Sequence, residues 1–576
     1  QLYMTSSSRF QWKWEWSTKR TPAYDIDVQG NIVWYVTSSE DEHFKNRVIC
    51  EDATGKRIWM KDAISTQIAV IGETCYYIKV VDYFRTVELC VCHAQTGRHE
   101  KVLYREENEE NDLSLVRGSN HTLYLQSKNP MESKLYRIDG KTVSPLYVRS
   151  LFQWPLGESI YGDDCVLTKD RVAEVWTARG KPIQSWGLDS LQRDESCELL
   201  WAHVQSGHVI TMKEGSQTLW WCTENKPPKM LLRLKVGSIE PNLWAWDGVV
   251  TQSFVIKSPA QPPFMLRANH RILPPDPSTV LAVPRHPMEF APLDVHRFHT
   301  PSTDGTSVPF IVLKQKSVTP KALFVYVYGA YGVSTPLNWP YQTWYPLLSR
   351  EWAIVFAMVR GGGDMDMAWA DAARREHRHL SIEDYEAVIR RAQQLLHIGP
   401  EKTVLYGRSA GGVPVGAVVA RHPRGDLAGA AFTEVPYVDI LRTSSNPDLP
   451  LTVGEYKEFG NPIRRVLNFK ELMNVSPLYV LPPEGAPGVF VLSHVGLLDR
   501  QVFAYESFKW IQYLRGAAAS DKTITAEPCG KYITFERDEE HQYRAHRMPR
   551  FRAMDFAIVD AWAEGKLSFS HSGHKK

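Results

Sequence analysis

The chain has 576 residues, of which 43% are hydrophobic and 23% charged, with a formal net charge of +2. That length exceeds what one hydrophobic core organises, so two or three domains are expected. The composition is that of a globular protein, and so small a net charge excludes a field strong enough to recruit nucleic acid or an anionic membrane.

The first residue is Gln rather than Met, which suggests a fragment or a processed form. From there the N-terminal half reads as short strands. QWKWEW (11–16) alternates polar and aromatic side chains, the period of a half-buried strand. IVWYVTSS (32–39), CYYIKVVD (75–82), TVELCVC (86–92), HTLYLQS (121–127) and HVITMKE (208–214) continue the pattern. The acidic run from Glu106 to Asp112 is expected to be a solvated loop. Eight cysteines are scattered with no C-x-x-C pair, which argues against structural zinc and suits a reducing, cytoplasmic setting.

Apolar strands in this half lead into turns ending in glycine at Gly55, Gly97, Gly140 and Gly180, with intervals of 42, 43 and 40 residues. Asn225 fits the next step with the glycine replaced. A period of this length in an all-β region predicts four-stranded blades, and hence a β-propeller of about seven blades over residues 1–290.

The pattern then changes, and residues 291–576 are expected to form an α/β-hydrolase domain, the last ten or so being a disordered tail. ALFVYVYG (322–329) and AIVFAMV (353–359) are continuous apolar runs, as in strands covered on both faces. The uncharged stretch 322–349 is broken by Gly329, Gly332, Pro336 and Pro340, which excludes a spanning helix there. SIEDYEAVIRRAQQLL (381–396) has helical spacing, with Ser381 as its N-cap and Asp384 in its first turn. Further strands are expected at 403–407, 428–435, 488–496 and 531–536, and a helix at 503–515. Alternation of strand and helix predicts a parallel, doubly wound sheet.

In VLYGRSAGGVPVGAVVARHP (404–423), a serine sits between two glycines, after a strand and before a helix. This is the context of a nucleophile elbow, where the residues two before and two after the serine must be small, here Gly407 and Gly411. Ser409 is the predicted nucleophile. A hydroxyl needs a base, and in this fold the order along the chain is Ser, then acid, then His. Asp499 follows a late strand. His541 and His546 follow the last one, and His541 is favoured as nearer the strand end.

The segments VYGAYGVS, VRGGGDMDMAWADA, YGRSAGG, LPLTVGEYKEFGNP and GLLDRQVFAYESFKWIQYLR, in this order, resemble the prolyl oligopeptidase family of serine peptidases, and within it oligopeptidase B. The resemblance implies an oxyanion site made by the Tyr328 hydroxyl and the Ala410 backbone amide. It implies a preference for Arg or Lys before the cut bond, with Glu455 as the charge partner. It also implies a propeller that limits substrates to short peptides, and neither a metal nor another cofactor. The chain departs from the family at three places: His541 is followed by Gln542 and Tyr543 instead of two glycines, Lys457 stands at a usually acidic position, and Arg408 precedes the serine. Arg547, six residues after His541, keeps the pattern. Family members carry an N-terminal extension, so the resemblance suggests that this sequence is a truncated form.

The expected function is therefore a serine endopeptidase acting on short peptides, with no nucleic acid or membrane partner and an oligomeric state left open. The alternative is a catalytically impaired relative whose propeller serves as a binding platform.

Overall fold

The computed structural model describes residues 24–38, 46–81, 85–108, 111–117, 123–128, 133–148, 152–153, 164–169, 172–177, 182–185, 197–203, 206–222, 226–242, 252–273, 292–339, 343–449, 451–516, 530–543 and 547–567. QWKWEW, Gly180, Asn225, His546 and the C-terminal tail lie outside these residues. Two compact units are present: Gln1–Phe152 with Ala178–Lys181, and Gln153–Thr177 with Pro182–Lys576.

In the first unit, seven antiparallel strands from Asp25–Gln29 to Lys101–Arg105 pair in chain order, and a four-stranded sheet follows from Asp112–Arg117 to Thr142–Val148. The fourth strand, Arg57–Ile71, is long. It pairs with one neighbour through its first part and with the next through its second, with the register broken between Ile64 and Ile68. The seven strands are thus two four-stranded meanders sharing one strand. Gly55, Gly97 and Gly140 lie in turns leading into the last strand of a meander, at φ of +79°, +64° and +58°. Positive φ is why glycine recurs there. Within the acidic run, Glu106 and Asn111 are anchored rather than solvated. Glu106 is buried, taking hydrogen bonds from the Asn108 amide (2.9 Å) and from Ser127, and Asn111 donates to Ser127 (2.9 Å).

The second unit continues with antiparallel groups, four strands over Cys197–Leu234 and three over Ser238–Ala268. It ends in an eight-stranded sheet, here labelled β1 (Leu293–Pro301), β2 (Ser307–Gln315), β3 (Ala322–Val327), β4 (Trp352–Ala357), β5 (Thr403–Arg408), β6 (Ala430–Glu434), β7 (Phe490–Gly496) and β8 (Lys531–Glu536). The spatial order is β1-β2-β4-β3-β5-β6-β7-β8. From β4 onward all neighbours are parallel, but β1–β2 and β2–β4 are antiparallel. The strands expected from sequence, β3 to β8, are mutually parallel, and β1 and β2, which the sequence reading did not foresee, add an antiparallel end. The short turn after Pro301 has no room for a crossover, so β2 must reverse.

Both faces of this sheet are covered, which explains its unbroken apolar runs. Val325, Val355, Leu405 and Val491 enter one core; Phe324, Ile354, Tyr406, Phe432 and Leu492 enter the other. Phe324 lies 5.0 Å from the Tyr406 ring in a stacked pair. Burying one such aromatic contributes about 1.5–3 kcal/mol. Helix α1 (His379–Leu396) buries Ile382, Tyr385, Val388, Ile389 and Ala392 at helical spacing and stops at His397, whose φ is +54°. It begins two residues before the expected Ser381 cap. Ser381 instead donates to the Arg360 carbonyl (2.9 Å), and Asp384 takes the Arg360 guanidinium at 2.7 and 2.9 Å. The need to pair a buried arginine outweighs local capping here.

Candidate active site

The turn after β5 carries Ser409 at φ +53°, a left-handed conformation that a non-glycine residue adopts only under constraint. The constraint is steric. A methyl added at Gly407 would lie 2.1 Å from the Gly411 carbonyl oxygen, and one at Gly411 would lie 2.5 Å from that of Val327. Helix α2 (Gly412–Arg421) starts directly beyond, with Pro414 in its first turn. Its N-terminal dipole therefore faces the serine backbone. The Tyr437 amide donates to the Ser409 carbonyl (2.9 Å) and pins the turn from the neighbouring strand end.

His541 lies past β8. Its Nε2 is 2.9 Å from Ser409 Oγ, and its Nδ1 is 2.8 Å from Asp499 Oδ2. Both His541 and Asp499 are buried. The second carboxylate oxygen, Asp499 Oδ1, accepts the amides of Gln501 (2.8 Å) and Val502 (2.9 Å). A carboxylate held in this way accepts a hydrogen bond from Nδ1–H and leaves Nε2 free to accept one from the hydroxyl. The loops carrying acid and base are joined by main chain, Leu497 N to Glu536 O and Leu498 N to Glu539 O, each 3.0 Å.

Tyr328, just past β3, interacts with Ser409 through its hydroxyl. Burial pushes its phenol up to about 12 and the nearby Glu455 carboxyl adds to this, so it remains a donor at neutral pH. Ala410 is buried in the first turn after the serine. The Tyr328 ring contacts that of Tyr331 at 6.3 Å, and the Tyr331 hydroxyl donates to Glu455 Oε2 at 2.6 Å. Glu455 sits on helix α3 (Thr452–Phe459). It keeps some solvent contact, yet dense surroundings push its carboxyl up to about 7; the Tyr331 bond opposes the shift, and Glu458 reinforces it. Lys457 acts the other way, favouring the ionised form.

Sequence reasoning missed two contributors and the direction taken by a third. Tyr331 holds Glu455. Glu458, three residues on, is fully paired: its Oε1 accepts the Tyr331 amide (3.0 Å) and the Arg378 guanidinium, its Oε2 takes Arg374 Nε (2.9 Å). Nothing in the spacing separates the roles of Glu455 and Glu458. The third is Arg408, whose side chain turns toward the His541 loop. Arg547 pairs with the buried Glu539 at 3.2 Å, closing that same loop. Among the described residues no group of three His, Cys, Asp or Glu is placed to hold a metal ion, and no helix is long and apolar enough to cross a membrane.

Residues 339–568 match the prolyl oligopeptidase family. A prolyl endopeptidase-like protein from Gallus gallus is 30% identical over 227 residues, 39% of this chain and 30% of the relative. Protease 2 from Moraxella lacunata is 30% identical over 206 residues, 36% of this chain and 29% of that protein. The matched stretch thus spans about 30% of the length of these curated relatives. Among solved structures, oligopeptidase B from Leishmania major superposes with a TM-score of 0.77 at 17% identity, covering 96% of this chain and 80% of that one. Oligopeptidase B from Trypanosoma brucei, in a closed form with covalently bound antipain, gives 0.77 at 19% identity, covering 95% and 79%. At such identities the structural likeness speaks to the fold. The sequence match to the prolyl oligopeptidase family falls on the stretch that holds Ser409, Asp499 and His541, and similarity to that family is shown for this part of the chain.

Proposed function

We propose that the protein is a serine peptidase that cleaves short peptides after Arg or Lys. One observation carries this reading: Ser409, His541 and Asp499, remote in sequence, form a single hydrogen-bonded chain at the C-terminal ends of β5, β7 and β8. In this reading Ser409 Oγ attacks the peptide carbonyl while His541 Nε2 takes its proton, then returns it to the leaving amine. Asp499 fixes the imidazole and stabilises its charged form. The Tyr328 hydroxyl and the Ala410 amide receive the oxyanion, as donors already aimed at the developing charge. Water then releases the acyl group by the same route. Glu455 meets the guanidinium or ammonium of the residue before the cut bond, a cation that would be costly to bury unpaired.

Residues 1–290 serve as a β-propeller of about seven blades that filters substrates by size, and residues 291–576 as the catalytic domain. The repeating four-stranded meanders and the fold likeness support this division. The free, buried thiols of Cys50, Cys75, Cys90, Cys92 and Cys222 support a cytoplasmic setting.

The test is hydrolysis of fluorogenic peptides bearing Arg, Lys, Pro or Ala before the cut bond, alongside labelling by a fluorophosphonate. Arg and Lys peptides are expected to be cleaved best, and Ser409→Ala to lower kcat by on the order of 10⁴-fold or more and abolish labelling. An intact protein that neither labels nor cleaves would instead be the non-catalytic binding relative.

A further inference from the structure

Arg408 is the last residue of β5, one position before Ser409. Its side chain leaves the serine and crosses to the histidine's loop. There Nη2 donates to the His541 carbonyl, Nη1 reaches Gln542 Oε1 at 3.4 Å, and the guanidinium lies 5.2 Å from the centre of the Tyr543 ring. One side chain therefore touches three consecutive residues of the segment that carries the base.

The guanidinium is itself anchored. Glu434 faces Arg408 across the β5–β6 ladder and is buried, with Oε2 at 3.5 Å from Arg408 Nε. The same carboxylate accepts the Tyr406 hydroxyl at 2.7 Å and stands 3.6 Å from Arg552. Burial opposes its ionisation, but Arg552 and Arg408 together hold its carboxyl below the ordinary range. Tyr543 is seated too, against the rings of His494 (5.1 Å) and Phe551 (6.2 Å). Both ends of the contact thus rest on buried structure.

We propose that Arg408 is a positioning residue for the base: braced on Glu434, it ties the 541–543 segment to the strand that carries Ser409 and sets the distance between imidazole and hydroxyl. The geometry favours this over a purely electrostatic role. The planar guanidinium fork meets a carbonyl, an amide oxygen and a ring face at once, which an ammonium could not reproduce. The loop of the acid is already joined to that of the base through main chain, so Asp499 and His541 move together. From the serine's strand, the reach to that pair is made by the Arg408 side chain. Gln542 and Tyr543, bulky where close approach would favour glycine, are the residues this arginine holds. Two departures that look like separate liabilities in the sequence meet in one contact.

This inference rests on the peptidase reading for its kinetic half only. The experiment compares the full chain with Arg408→Gln and Arg408→Lys, by peptide kinetics, fluorophosphonate inactivation rate and hydrogen exchange of the segment 537–547. In Arg408→Gln, kcat and the inactivation rate are expected to fall about 10- to 100-fold, the range for a catalytic group displaced by about an ångström, with KM changed less than about twofold. Arg408→Lys is expected to recover only a minor part. Exchange over 537–547 is expected to accelerate in both variants while β5 and β7 keep their protection. Rates within about twofold of the parent together with unchanged loop exchange would overturn the proposal, as would full recovery with lysine. General loss of protection across the sheet would also overturn it, since Arg408 would then support the fold and not the base. If the parent itself neither labels nor cleaves, the peptidase reading fails, and loop exchange still decides whether Arg408 holds the segment.

Discussion

Glu100 and Glu458 each grip two cations, one in the strand-rich first unit and the other beside the candidate site, and they differ in what surrounds them. Glu100 takes Lys61 (2.7 Å), Lys79 and the Tyr77 hydroxyl (2.7 Å) at a surface where its side chain stays 31% exposed. Glu458, at 3% exposure, takes Arg374 and Arg378, themselves 14% and 2% exposed. The sheets explain the contrast. In the first unit a strand such as Asp112–Arg117 alternates buried and partly exposed positions, leaving charges a wet face. In the α/β sheet, β4 and β7 are buried at every position, so charges are forced to the strand ends and must be paired inside. The lesson is that the same two-to-one ion pairing is peripheral in one region and structural in the other.

The sharpest way to break that comparison is Glu458→Ala. It strips the buried Arg378 of its carboxylate, takes from the less buried Arg374 one of two acidic partners, Asp371 remaining, and frees the Tyr331 amide. The expected cost is about 3–5 kcal/mol of stability in the α/β unit. Calorimetry or denaturant melting of Glu458→Ala against the parent reads it. A loss below about 1 kcal/mol would mean the site is wetter than its geometry implies.

Glu455 lies between the two extremes, because its one described hydrogen-bond partner, Tyr331, is neutral. Its carboxyl, raised to about 7, is protonated below that pH and cannot then meet a cation. KM for an Arg peptide is therefore expected to rise as pH falls through about 7, while an Ala peptide shows no such limb. A bound guanidinium pulls the carboxyl back down, so the limb should appear at lower pH as substrate saturates. Glu455→Gln is expected to raise KM for Arg peptides about 10-fold and remove the limb, consistent with loss of one charge-assisted pair. Arg preference that survives in Glu455→Gln would place the specificity elsewhere.

Much of this arrangement was legible in the sequence, for identifiable reasons. The strands β3 to β7 announce themselves because sheets covered on both faces need long apolar runs, whereas β8, at the far edge, is partly exposed. Ser409 was legible because its strained turn demands glycine at 407 and 411, and that demand is local. Asp499 and His541 followed from chain order in one fold. What was not legible depends on long-range side-chain choice. Ser381 reads as a cap and Asp384 as a first-turn acid until Arg360, arriving from beyond β4, claims both. The strands β1 and β2, at one end of the sheet, carry no periodicity that states their direction. Arg408 looks like added bulk beside a nucleophile because nothing local says that its guanidinium points away, toward residue 541. Glu455 and Glu458 lie on one helix turn with the same chemistry, and only partners some 80 residues upstream tell them apart.

The gentlest test returns to Glu100. Burial opposes its ionisation, but Lys61, Lys79 and Tyr77 overcome this and hold its carboxyl down at about 2. A carboxyl depressed on folding stabilises above its unfolded value, about 4.3, and that stabilisation is lost as pH falls through the folded value. Discounted for exposure and the freedom of two lysine side chains, its contribution should stay under about 1 kcal/mol. Glu100→Gln is expected to speed hydrogen exchange of strands Thr74–Val81 and Arg85–His93 by less than about fivefold at neutral pH. Parent and variant should converge as pH drops toward 2. A larger effect would show that the two-lysine clamp bears on the fold as Glu458 does, and the distinction between wet and dry ion pairing in this chain would fail.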